Sequence, residues 1–252
     1  MRAMAYKATY RTRTYLKKGE VARTRPVPGR HLEQAALAGG ARLVGGIDEV
    51  GVGAWAGPVA VGAVVLAPDD RIYKLRDSKL LDPPRREWLA ARVRERALGY
   101  GIGLAWPAEI DQVGLSEAIR RAAARAVGAM AVTPDVFLVD GKWNFVGPSA
   151  RMVVRGDCES VSIAAASIVV KVARDRLMVD LAALYPSYAF EENKGYPAPR
   201  HLWGLSAYGP CPVHRRFYAP IRRLEVEGVP GRLLPAATVA AAGYGGGDGL
   251  GE

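Results

Sequence analysis

GGIDEVGVGAWAGPVAVGAVVL, from Gly45 to Leu66, is the stretch on which the reading of the chain turns. The lead-in from Arg42 to Ile47 reads as a strand. Val59 to Leu66, apolar at nearly every position, reads as a second strand covered on both faces. A glycine-containing turn from Gly51 to Gly57 joins the two. Between the first strand and the turn stand two adjacent acids, Asp48 and Glu49. Successive strand residues point to opposite faces, so one of two neighbouring acids in a strand is aimed at the core. A place at the strand end relieves that conflict if something binds there.

The 252 residues, 50% of them hydrophobic, suffice for one sizeable α/β core. A net charge of +10 attracts polyanions, with nucleic acid or an anionic membrane surface as candidates. No window approaches the roughly 18 apolar residues of a membrane span, and the basic N-terminus lacks the apolar core of a signal peptide. These features lead to the expectation of a soluble cytoplasmic protein. Cys158 and Cys211 have no CxxC spacing and read as free thiols. His31, His201 and His214 are too scattered to signal zinc, and no G-x-S-x-G nucleophile motif or phosphate-binding P-loop occurs. Residues 1–30 carry nine Lys or Arg against Glu20 alone, which predicts a flexible basic arm. Residues 228–252, rich in Gly and Ala, read as a disordered tail, leaving 31–227 as the folded domain.

Within that domain, LDPPRREWLAARVRERALGY offers Asp82 as a cap, Pro at the first helical positions, and Leu89, Val93 and Ala97 four apart. YGIGLAWP reads as a strand, followed by a helix from about Ser116. DVFLVDG and ARMVVRGD read as strands that run out on Asp140 and Asp157. A long helix starts at Ser160 or Ser162, with Ile163, Ala166, Val170, Ala173, Leu177, Leu181 and Leu184 as its stripe, and stops before Pro186. Strands followed by alternating helices and strands give an α/β class with a mixed sheet.

Asp48, Glu49, Asp140 and Asp157 thus share one context, the ends of apolar strands. Carboxylates are hard oxygen ligands suited to magnesium or manganese, and acids crowded together without a cation raise one another's pKa. A pair of ions about 3.5 to 4 Å apart on such acids activates water and stabilises the leaving oxygen of a phosphodiester. Taken singly, Asp140-Gly141 also fits an ordinary turn, and Asp157 also fits a helix cap.

The motifs GIDEVGVGAWAGPVAVGAVVL, DSKLL, FLVDG, RGDCESVSIAAASIVVKVARDRLM, YPSYAFEENKGYPAPRHLWGL and GPCPVHRRFYAPI resemble, in order, those of bacterial ribonuclease HII, over roughly Gly45 to Ile221. The resemblance implies a ribonuclease H-like fold, a mixed five-stranded sheet flanked by helices with a C-terminal helical extension. It implies cleavage of the RNA strand of RNA/DNA hybrids to a 3′-hydroxyl and a 5′-phosphate, and cleavage at single ribonucleotides embedded in duplex DNA. Asp48, Glu49, Asp140 and Asp157 match the family's four catalytic acids, the first three its metal ligands for manganese or magnesium. Gly51, Val52 and Gly53 match a Gly-Arg-Gly element that reads the 2′-hydroxyl, and Tyr196 matches a tyrosine that stacks on the following sugar.

Lys79, Lys171, Lys194, His201, Arg215 and Arg216 are candidate phosphate contacts, each of which also reads as an ordinary solvated charge. For Lys171, one turn from Asp175 in an apolar helix, an internal ion pair competes with substrate contact. Two departures from the family pattern stand out. Val52 replaces the central arginine, as in the sister ribonuclease HIII type, which has little activity at isolated ribonucleotides. HRRFYAP stands where HRRSFAP is usual, with Phe217 in place of a common Ser. A structure-specific DNA nuclease and a catalytically silent nucleic-acid-binding protein are the competing readings. The expected state is a monomer, with a replication-clamp contact left open.

Overall fold

The computed structural model of the chain describes residues 27–70, 72, 75 and 81–227. Lys79, most of the basic arm and the tail lie outside them. Its strands are β1 (Val44–Val50), β2 (Val59–Val65), β3 (Gly99–Ala105), β4 (Val136–Asp140) and β5 (Ala150–Val153). Its helices are α1 (His31–Ala38), α2 (Pro83–Arg96), α3 (Pro107–Val113), α4 (Leu115–Gly128), α5 (Gly156–Glu159), α6 (Val161–Leu184), α7 (Phe190–Asn193), α8 (Pro199–Tyr208) and α9 (Ala219–Glu227), with a 3-10 turn at Pro186–Tyr188.

The sheet order is β3-β2-β1-β4-β5. β1, β2 and β3 form an antiparallel meander, while β1, β4 and β5 run parallel, giving the expected mixed five-stranded sheet with β1 at its centre. Every residue of β2 is buried, because both faces are covered. Ile47, Val59, Val61 and Ala63 pack against Ala118, Ile119, Ala122 and Ala126 of α4. On the other face Val64 joins Ala164, Ala165, Ile168 and Val169 of α6, with Leu89, Ala90 and Val93 of α2 outside them. Glycines let α6 lie close to the sheet: a Cβ at Gly62 would stand 2.8 Å from Val170 Cβ and 2.9 Å from Ala166 O.

Local signals account for the helix starts. Asp82 caps α2 by accepting from Arg85 N at 2.8 Å, with Pro at the first positions. Ser160 caps α6, its Oγ accepting from Ile163 N at 3.2 Å, which decides between the two serines. The expected stripe on α6 is a partial description. Ser162 to Val170 are buried without interruption, whereas Leu184 is 56% exposed. The first half is covered all round, by the sheet on one side and by α2 on the other. Its second half packs with α7, α8 and α9 around Met178, Phe190, Leu205 and Ile221, the C-terminal extension.

Two strand limits need correction. β1 pairs with β2 as far as Val50 opposite Ala60, so Asp48 and Glu49 lie within the strand rather than past it. β5 stops at Val153, and Arg155 turns the chain into the left-handed region (φ 57°). Asp157 therefore sits in α5 rather than on a strand end.

Candidate active site

β1 and β4 are parallel, and their last pair is Ile47 with Val139. The next residue on each strand is an acid, so Asp48 and Asp140 stand side by side at the middle of the sheet. Both point to one face, the face of Gly46 and Gly62 that α6 covers. Glu49, one residue on, points to the other side. Asp48 Oδ1 accepts from Glu49 N at 2.9 Å. Asp140 Oδ1 accepts from Gly156 N at 2.6 Å, which ties α5 to the end of β4 and sets Asp157 beside Asp140.

Asp48 is buried, and its carboxyl is held well above the ordinary carboxylate range. Burial is the largest cause and the Glu49 carboxylate the next. A hydrogen bond with Ser167 of α6 works the other way, and Asp140 and Asp157 push upward again. The other three predicted acids are thus all felt at the Asp48 carboxyl. Among the described residues no group of three or more His, Cys, Asp or Glu side chains is placed to hold a metal ion by itself. What the site offers is an open set of hard oxygen donors short of positive charge. That donor chemistry fits a divalent cation completing its shell with water and substrate oxygens.

Directly after β1 the chain enters the glycine turn. Gly51 has φ +85°, and a Cβ there would overlap the guanidinium of Arg174, so only glycine fits. Val52 is half-buried, packed against the α4-side core. Gly53 is exposed, and a Cβ on it would stand 3.9 Å from the Tyr196 ring. Tyr196, 38% exposed, lies 5.7 Å from the Arg174 guanidinium. Trp55 N and Ala56 N donate to Gly195 O at 2.8 and 3.2 Å, joining the turn to the Tyr196 segment. Gly53 and Tyr196 therefore share one exposed surface, joined to the acids through Val50, the buried Gly51 and the half-buried Val52.

The basic candidates divide. His201 and Arg215 are fully buried, which corrects their reading as phosphate contacts. His201 Nδ1 donates to Tyr196 O at 2.9 Å. Its Nε2 accepts from His214 Nε2 at 2.9 Å, and His214 Nδ1 in turn accepts from Cys211 N at 2.9 Å. Burial holds His201 below the usual histidine range, and burial with the His201 charge pulls His214 down to about 3. Arg215 is spent on Gly57 O (2.8 Å) and Val52 O (3.2 Å), and burial lowers it to about 10. Lys171 is bound to Asp175, which Arg86 also meets at 3.4 Å, so the internal ion pair is the arrangement found. Arg216 is exposed but holds both carboxylate oxygens of Glu225 at 2.7 Å. Lys194, at the rim beside Tyr196, donates from Nζ to Glu191 O.

Sequence reasoning missed Arg174, Ser167 and Tyr218. Arg174 donates to Pro58 O at 2.9 Å, Lys194 O at 3.0 Å and Ala56 O at 3.3 Å. Its signal was a second basic residue in the apolar helix, three places after Lys171.

Residues 45–220 match the family model described as Ribonuclease HII. Ribonuclease HII of Enterococcus faecalis is 45% identical over 190 residues, spanning 75% of this chain and 74% of that one. Ribonuclease H2 from Pyrococcus horikoshii OT3 has the same fold with a TM-score of 0.64 and 26% identity, over 73% of this chain and 98% of the other. The PCNA:RNase HII complex from Archaeoglobus fulgidus gives a TM-score of 0.59 at 25% identity, over 69% and 93%. All four acids, the glycine turn and Tyr196 fall inside the matched span, and the chain belongs to the ribonuclease HII family, endoribonucleases that act on RNA/DNA hybrids.

Proposed function

We propose that Asp48, Glu49, Asp140 and Asp157 carry this hydrolysis, with Asp48, Glu49 and Asp140 holding manganese or magnesium. The raised pKa of Asp48 under the combined push of the other three acids supports the reading. When bound, the divalent ions supply an activated water and stabilise the leaving oxygen, giving a 3′-hydroxyl and a 5′-phosphate. The chain's own part is orientation. Gly156 N–H fixes Asp140, Glu49 N–H fixes Asp48, and Ser167 steadies Asp48 from the helix behind. The Gly51–Gly53 backbone and Tyr196 meet the wide minor groove of the hybrid, where the 2′-hydroxyl lies.

Asp48→Asn and Asp140→Asn are expected to abolish metal-dependent cleavage of a labelled hybrid while leaving circular dichroism unchanged. Hydrolysis retained in both variants would refute the assignment. Cleavage at a single embedded ribonucleotide is the finer part of the proposal, and Val52 in place of arginine is expected to weaken it relative to a Val52→Arg variant. Product mapping on a hybrid and on a duplex carrying one ribonucleotide separates the two. The reading places the enzyme in the cytoplasm as a monomer. No described helix is long and apolar enough to cross a membrane. The PCNA complex of the Archaeoglobus fulgidus relative makes a replication clamp the first protein partner to test.

A further inference from the structure

Two donors from the C-terminal extension converge on one carbonyl of the glycine turn. Val52 O accepts from Arg215 Nη1 at 3.2 Å and from the Tyr218 hydroxyl. Arg215 also donates from Nε to Gly57 O at 2.8 Å and from its backbone N to Trp55 O at 2.8 Å, so one residue spans the turn. It does so fully buried, with no carboxylate paired to it among the described residues and with Nη2 lacking a hydrogen-bond partner. A guanidinium in that condition is costly, and packing alone is better served by an apolar side chain.

The geometry of the peptide group says what this arrangement does. In a trans peptide the C=O and the following N–H point in opposite directions, and the described chain has no cis bond. With Val52 O turned inward to Arg215 and Tyr218, the Gly53 N–H is turned outward. Gly53 is exposed, its N–H has no partner among the described residues, and no side chain at 53 screens it from the neighbouring Tyr196 ring. The usual HRRSFAP pattern also has Phe at the position of Tyr218. The Tyr218 hydroxyl, which a Phe lacks, is thus the donor to the backbone carbonyl of residue 52.

We propose that Arg215 and Tyr218 are positioning residues that hold the Val52–Gly53 peptide with its N–H facing the RNA strand, where it donates to a 2′-hydroxyl oxygen. This rests on the reading of the turn as the ribose-contacting part of the site. With an apolar side chain at Val52, recognition falls on that backbone donor, and the added hydroxyl fixes its direction.

The test follows the Gly53 amide by NMR in the metal-free full chain, titrated with a short RNA/DNA hybrid and with a DNA duplex of the same sequence. The hybrid should shift the Gly53 amide and slow its exchange, and the DNA duplex should not. Tyr218→Phe, which restores the usual residue and keeps the ring, should weaken that response and lower kcat/KM on the hybrid about three- to tenfold, the scale of one hydrogen bond. Arg215→Met should weaken it further, and Arg215→Lys should recover part. A Gly53 shift that Tyr218→Phe leaves intact overturns the positioning role alone. A Gly53 amide unmoved by the hybrid in the unaltered protein overturns the reading of the turn as well. Equal shifts with the DNA duplex overturn the ribose assignment.

Discussion

Replacing Asp48 by Asn removes a negative charge from a group that burial and three neighbouring carboxylates already push toward its protonated form. A folded-state pKa raised above the unfolded value of about 3.9 means that the folded chain binds the proton more readily. Stability then falls as pH rises through that window, and at neutral pH the ionised carboxylate works against folding. Asp48→Asn keeps the acceptor that faces Ser167, so the metal-free variant should melt a few degrees higher than the parent at pH 7, with the gap closing below about pH 4. Added magnesium or manganese should raise the parent's Tm and leave the variant's unchanged. A lower Tm for the metal-free variant at pH 7 would show that the four acids do not repel as described. At the turn, Val52→Arg must bring a half-buried side chain out of the α4-side core. The guanidinium gained should raise the ratio of junction to hybrid cleavage, and an unchanged ratio discards the role given to Val52.

At the scale of elements, the two central strands, the Asp82 cap and the long helix α6 were legible because periodicity and capping chemistry are local. So were the four acids as polar residues beside apolar runs, although Asp48 and Glu49 stand inside β1 and Asp157 on α5. What escaped is set by tertiary contact. His201 and Arg215 look like surface charges in the sequence, and only the packing of α8 and the segment before α9 buries them. Helix α1 escaped for the same reason. Its Glu33 is buried, with Oε1 accepting from Ser160 Oγ at 2.6 Å and from Ser162 N at 3.0 Å. A carboxylate from a separate element thus caps the positive end of α6, the helix that carries Ser167 and directly follows Asp157. Gly29 adds backbone bonds on the same segment, N to Glu159 O at 3.3 Å and O from Val161 N at 3.0 Å. Glu33→Ala leaves the Ser162 N–H without its acceptor and should cost about 1–3 kcal/mol in urea unfolding. Glu33→Gln, which keeps an acceptor oxygen, should cost less. Equal midpoints for Glu33→Ala and the parent would mean that α1 does not clamp the α6 terminus.

Over the whole molecule, pH acts through two buried sites of opposite sign. Asp48 makes the fold more stable as pH falls, and the His201–His214 pair makes it less stable. Both imidazoles are held neutral, their ring nitrogens committed between Tyr196 O and Cys211 N, and His214 lies at about 3. The unfolded chain protonates its histidines near pH 6.5, so below that value it binds protons that the folded chain refuses. The stability from the neutral pair is complete above about pH 6.5 and is lost as pH falls toward the folded values, by up to about 1.4 kcal/mol per unit for each histidine. Measured in an Asp48→Asn background, which silences the opposing trend, the urea midpoint should drop steadily from pH 7 to pH 4.5. Adding His201→Gln and His214→Gln should lower the midpoint at pH 7, because the relay to Tyr196 is broken, and flatten its dependence on pH. A flat profile before the histidines are replaced would mean that the pair accepts a proton in the folded state, and the hydrogen-bond directions assigned to it would be wrong.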